Sequence, residues 1–207
     1  ADAVRRGHTI GLCFGPAGVG KTLSARRYAH WEKAYDLLTY WGPRSDNDAK
    51  IYAALNRSRT VLYTPSVLTT PRTLKDELTQ AITRTNMCIE QHLVPPGTAT
   101  PEAWGWRHGR NYVELIIVDE VGYLPFDADA ANLFFQLIAS RYEQGSIVLT
   151  SNMPFGRWGE IFSDDIVAAA MIDRLVHHAE VLTLGGDSYR TRARRELLKT
   201  PAQPAGK

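Results

Sequence analysis

Short apolar runs alternate along this chain with longer stretches in which apolar positions recur every three or four residues. The first pattern predicts buried strands and the second amphipathic helices, so their alternation predicts a parallel sheet with helical crossovers. Strands are expected over Thr9 to Phe14, Thr60 to Tyr63, Val113 to Val118, Ser146 to Thr150 and Glu180 to Leu184. A helix is expected from Lys21 to about Leu38, with Tyr28, Trp31 and Tyr35 on one packed face. A second starts near Thr70-Pro71, with proline in its first turn, and runs to about Gln91. A third follows Pro125, capped by Asp127 or Asp129, with Leu133, Phe134, Leu137, Ile138 and Arg141 at helical spacing. A fourth covers about Ile166 to His177. Gly42 to Asp48 reads as a loop, and Pro95 to Gly109, rich in Pro, Gly and Trp, as an irregular surface segment. The five strands make one α/β domain over residues 9–186, after a stub of residues 1–8 and before a basic tail of residues 187–207.

Composition narrows this picture. Hydrophobic residues at 44% and charged residues at 22% are ordinary for a globular chain of 207 residues and exclude a disordered one. No apolar run approaches the ~18 residues of a membrane span. Two cysteines, Cys13 and Cys88, cannot build a four-ligand zinc site or a disulfide framework, so a reducing, cytoplasmic location is expected. The net charge of +2 hides a split: residues 1–100 carry 13 Lys/Arg against 8 Asp/Glu, residues 101–189 carry 5 against 13, and residues 190–207 carry 6 against 1. Basic surfaces are therefore expected in the first half and the tail. The chain starts at Ala1 and carries no signal-peptide pattern, which reads as a fragment or processed chain lacking an N-terminal module.

The chemistry begins after the first strand. Gly15-Pro16-Ala17-Gly18-Val19-Gly20-Lys21-Thr22 fits G-x-x-x-x-G-K-[ST] completely, between an apolar strand and a helix. Glycines let successive backbone N–H groups curl around a phosphate, and the helix N-terminus adds partial positive charge. Lys21 is placed to reach the β- and γ-phosphates, and the Thr22 hydroxyl to bind Mg²⁺. The run Leu115-Ile116-Ile117-Val118-Asp119-Glu120 puts two carboxylates at a strand end. Asp119 can hold Mg²⁺, and Glu120 can orient or deprotonate a water for attack on the γ-phosphate. A small-molecule kinase has no use for an activated water, so the pair favours an ATPase over a phosphotransferase. The Asn-Lys-x-Asp motif that reads guanine does not follow, which disfavours a GTPase.

Other polar positions stay open on chemistry alone. Asn152 can contact the attacking water or the γ-phosphate, or be a turn residue before Pro154. Arg174 can pair with Asp173 or a neighbouring turn, or act as an arginine finger in an adjacent subunit. Arg190, Arg192, Arg194, Arg195 and Lys199 can contact DNA phosphates, reach back to nucleotide, or be solvated. Trp104 and Trp106, with Arg107, His108 and Arg110, mix aromatic and basic residues as a nucleic-acid surface does, and a packed loop serves equally. His177 and His178 have no metal-ligand partners at a recognisable spacing.

Longer stretches carry a resemblance. Val118-Asp119-Glu120-Val121-Gly122-Tyr123-Leu124-Pro125-Phe126, Arg141-Tyr142-Glu143, Thr150-Ser151-Asn152-Met153-Pro154-Phe155, Trp158-Gly159-Glu160, Ala168 to Leu175, His177-His178 and Gly186-Asp187-Ser188-Tyr189-Arg190 closely resemble IstB. IstB is the AAA+ transposition ATPase of bacterial insertion sequences, related to the DnaC helicase loader. The half from Gly15 to Tyr28, with the connection around Trp41 and the strand near Tyr63, is more similar to the TniB and TnsC transposon ATPases. The chain thus reads as a mosaic of two related families. The resemblance implies a P-loop NTPase with an AAA+ core, its lid domain reduced or absent. It implies ATP and Mg²⁺ as cofactors, oligomerisation into a ring or filament on DNA, and recruitment or stimulation of a transposase. A DnaC-like replicative helicase loader is the alternative. It also implies Asn152 as first sensor and Arg174 as trans-acting finger, with Arg190 a candidate second sensor.

Overall fold

The computed structural model describes residues 1–41, 45–65, 70–94, 97, 109–122, 126–141, 145–162, 165–186 and 188. The expected sheet is present: β1 (Ile10–Phe14), β2 (Thr60–Tyr63), β3 (Leu115–Val121), β4 (Ser146–Ser151) and β5 (Ala179–Thr183). All four pairings are parallel, in the order β2-β3-β4-β1-β5. The chain leaves β1 for the far edge, returns strand by strand to β4, and finishes on the other side of β1. Such an order reversal beside β1 opens a crevice at the carboxyl ends of the strands, where α/β folds bind ligands.

The helices are α1 (Asp2–Gly7), α2 (Lys21–Tyr28), α3 (Trp31–Tyr40), α4 (Ala49–Ser58), α5 (Pro71–Leu93), α6 (Ala128–Arg141), α7 (Gly159–Phe162) and α8 (Asp165–His178). The single helix expected over Lys21 to Leu38 is in fact two. His30 takes a left-handed conformation at φ 53°, which a continuing α-helix of L-residues does not allow. Across the break Tyr28 and Trp31 still pack against one buried cluster with Ala25, Ala29 and Leu62. The Tyr28 hydroxyl donates to Asp2 Oδ1 at 2.8 Å, and this bond together with burial pushes its pKa up to about 12. Trp31 and Tyr35 meet edge-to-face at 5.4 Å. Helix α3 buries Ala34 and Leu38 against Tyr52 and Leu55 of α4 and Cys88 and Ile89 of α5.

Helix α4 escaped the sequence pattern, and so did α1, which occupies the expected stub. Helix α1 closes the end of the sheet opposite the crevice: Ser146 Oγ donates to the carbonyls of Val4 (3.0 Å) and Arg5 (3.2 Å), and Arg5 donates to those of Arg57 and Ser58. Beyond the second face of the sheet, Phe126, Phe134 and Phe162 stack with centroids 5.4–6.0 Å apart, and Trp158 meets Phe162 edge-on. Trp158 is fully buried and its indole N–H donates to Met153 O at 3.2 Å. Trp158→Ala is expected to cost about 3–5 kcal/mol of stability through the cavity it leaves. In a thermal melt this lowers the midpoint by about 10 °C.

Candidate functional site

The phosphate loop connects β1 to α2 across the carboxyl end of the sheet. Gly18 and Gly20 sit at φ 83° and 102°, a region closed to most side chains, and Gly20 is the N-cap of α2. Gly15 is required for a different reason: a Cβ there would lie 2.2 Å from the backbone oxygen of Leu184, just past β5. Gly15→Ala must therefore displace either the loop or the end of β5. It is expected to destabilise the fold by about 1–3 kcal/mol, read by chemical denaturation, and to weaken nucleotide binding.

The Lys21 ammonium folds over its own loop, donating to the carbonyls of Gly15 (2.6 Å) and Pro16 (3.0 Å). Partial burial lowers its pKa, opposed by Cys13, Asp119 and Glu120. The loop thus presents a cation with two carboxylates close by.

Those carboxylates come from β3, which starts at Leu115 rather than the expected Val113 and runs on to Val121, so that Asp119 and Glu120 lie inside the strand. Register with β4 slips between Val118 and Val121, forming a bulge. Within it Glu120 adopts φ 60° and is solvent-exposed, while Asp119 is fully buried. The bulge brings Glu120 Oε1 to 3.5 Å from the Thr22 hydroxyl across the crevice.

Asp119 is held from β4. The Thr150 hydroxyl donates to Asp119 Oδ1 and accepts the Glu120 backbone N–H at 3.1 Å. Asp119 Oδ2 is buried without a hydrogen-bond partner among the described residues. A carboxylate oxygen so left, near Lys21 of the phosphate loop, fits a divalent cation.

Residues 4–150, well over half the chain, match the family model described as an AAA domain. The chain belongs to the AAA domain family. Residues 110–197 match the model described as IstB-like ATP binding protein, and the two matches share residues 110–150, which hold Asp119, Glu120 and Thr150. The chain is 48% identical over 86 residues to the ATP-binding protein of insertion sequence IS21 from Pseudomonas aeruginosa, covering 42% of this chain and 32% of that protein. It is 52% identical over 81 residues to that of IS5376 from Geobacillus stearothermophilus (39% and 32%), and 50% identical over 84 residues to that of IS232 from Bacillus thuringiensis subsp. berliner (41% and 33%). The matched stretch spans about a third of the length of these relatives. The candidate site is thus a complete phosphate-loop motif facing a buried aspartate and an exposed glutamate.

Asn152 lies exposed in the bend after β4, at a corner tied by Ser151, whose hydroxyl donates to Val121 O at 2.7 Å and accepts Met153 N–H at 3.1 Å. The backbone of Arg174 lies on α8, and its side chain is outside the described residues. Arg190 and the basic tail beyond it lie outside them too, as do Trp104, Trp106, Arg107 and His108.

Two contributors went unassigned in the sequence. Ser188 Oγ lies 2.2 Å from where a Cβ on Gly18 would sit, so Ser188 lies against the phosphate loop. Thr150 is the other, and its only signal was a hydroxyl near the end of an apolar strand. A cavity of about 420 Å³ between α3, β2 and α5, lined by Trp31, Tyr35, Glu77 and Arg84, contains no phosphate-loop residue. Among the described residues no helix is long and apolar enough to cross a membrane.

Proposed function

We propose that this chain is the ATP-hydrolysing module of an insertion-sequence transposition system. It binds MgATP, assembles with further copies into a ring or filament on DNA, hydrolyses ATP slowly, and recruits or stimulates a transposase. The observation that carries hydrolysis is the approach of Glu120 to Thr22 across the crevice, 3.5 Å apart, beside buried Asp119. The match of residues 110–197 to IstB-like ATP binding proteins supports the transposition setting.

In this mechanism the loop amides and Lys21 bind the β- and γ-phosphates, and Thr22 and Asp119 hold the metal. Mg²⁺, when bound, neutralises phosphate charge. Glu120 orients a water in line with the γ-phosphorus and accepts its proton as the new P–O bond forms and the bond to the ADP oxygen breaks. Arg174 serves the neighbouring subunit as a finger, and Asn152 contacts the water or γ-phosphate.

DNA binding rests on charge. Arg26, Arg27, Lys33, Lys50 and Arg57 are all exposed. The His30 imidazole has its pKa lowered by burial and then by Arg57 and Lys33, both of which lie near it. Such a cluster suits contacts to phosphates without reading bases.

ATP turnover and DNA binding measured together, with and without ATP and across a salt series, test the reading. The expected result is ATP-dependent assembly on DNA whose affinity falls steeply with salt. Turnover that ignores DNA and requires an acceptor metabolite would overturn it. Arg174→Ala that still assembles and hydrolyses normally would remove the finger.

A further inference from the structure

We infer that Thr150 is the positioning residue of this site, the group through which β4 sets both carboxylates at once. This rests on the ATPase reading above and adds to it a residue outside the phosphate loop and the Asp-Glu pair.

The argument starts from hydrogen-bond polarity. A threonine hydroxyl has one proton and two lone pairs, a carboxylate only accepts, and a backbone amide only donates. The chain of bonds from Glu120 N–H to Thr150 Oγ1 to Asp119 Oδ1 therefore has one possible direction. Thr150 is 3% exposed, so water is a poor substitute for it.

Each bond has a consequence. Engaging Oδ1 fixes the rotation of the Asp119 carboxylate and leaves Oδ2 as the buried oxygen without a partner among the described residues, the one left for a cation. Holding the Glu120 amide gives it an acceptor at the bulge, where the register with β4 slips. It stabilises Glu120 at φ 60°, a conformation that residues with a Cβ disfavour, and that conformation sends its side chain toward Thr22.

Topology explains why β4 does this. It lies between β1 and β3, and Thr150 is in register with Cys13 of β1, directly before the phosphate loop. The hydroxyl therefore sits between the strand that feeds the loop and the strand that carries the acids. Asn152, two residues on, has already left the sheet.

The test uses the full chain with Thr150→Ser, Thr150→Ala and Thr150→Val. Affinity for a fluorescent ATP analogue is measured in EDTA and over a Mg²⁺ titration, alongside kcat and a metal-free thermal melt. Ser is expected to keep the wild-type Mg²⁺ half-saturation, while Ala and Val raise it roughly 10–100-fold, the usual cost of losing an outer-shell partner. Affinity in EDTA should stay within about 2-fold of wild type, because the phosphate loop is untouched. An order set by volume, with Ser and Ala alike, overturns the inference, and so does a wild-type Mg²⁺ dependence in Ala or Val. If Val fails to fold, Ser and Ala carry the same contrast. A wild-type chain that binds MgATP but never hydrolyses it would sink the ATPase reading alone, since the Mg²⁺-dependent binding still tests Thr150.

Discussion

Glu120→Gln is expected to lower kcat by roughly 10²–10⁴-fold, the range for loss of a general base, while MgATP binding stays near wild type. Glutamine keeps the shape and the hydrogen-bonding reach of the side chain but cannot take a proton from water. Glu120 is exposed, so its neutral replacement should change stability by no more than about 0.5 kcal/mol. The backbone N–H to Thr150 is unaffected by the change, so the bulge persists. Single-turnover hydrolysis combined with equilibrium nucleotide binding separates the two effects. The expected product is a chain trapped with ATP, which should also hold its DNA assembly longer than wild type. Equal loss of binding and turnover would mean that Glu120 supports the nucleotide rather than the water.

Lys21→Ala is expected to act on the other limb, reducing nucleotide affinity about 10²–10³-fold as charge-assisted hydrogen bonds to phosphate are lost. The Lys21 ammonium already donates to two loop carbonyls, so it is held at the loop rather than dispersed in solvent. Its pKa, lowered by burial, shows that the loop withholds some water from this charge. Phosphate oxygens therefore meet a partly desolvated cation. Arginine is expected to rescue little, because a planar fork does not replace a compact ammonium inside this loop. Isothermal titration with MgATP checks both variants, and an undiminished affinity in Lys21→Ala would sink the site assignment.

The parts of the site readable in advance are those that depend on neighbours in sequence. A phosphate loop is eight consecutive residues whose glycines, lysine and threonine act through local backbone geometry, so Gly15 to Thr22 were legible without a fold. The apolar run ending in Asp119-Glu120 was legible for the same reason. Helix α4 was overlooked although its pattern is amphipathic: it is only 10 residues long, and its buried side, Tyr52, Ala54, Leu55 and Ser58, packs against α3 and α5. The break at His30 was equally hidden, since nothing in the local pattern announces a left-handed residue there.

Sequence by itself determined the α/β class, the loop that binds phosphate, the identity of both carboxylates and the family resemblance. These follow from local periodicity and from motifs that carry their chemistry in adjacent side chains. Only the tertiary structure decided how differently the two carboxylates are held. The strand order put β4 between β1 and β3, and a slipped register created the bulge. Thr150, distant in sequence, tied one acid down in the core and helped set the other facing Thr22. A buried, hydrogen-bonded carboxylate and an exposed one have different solvation and different partners, as the proposed division into metal ligand and base requires.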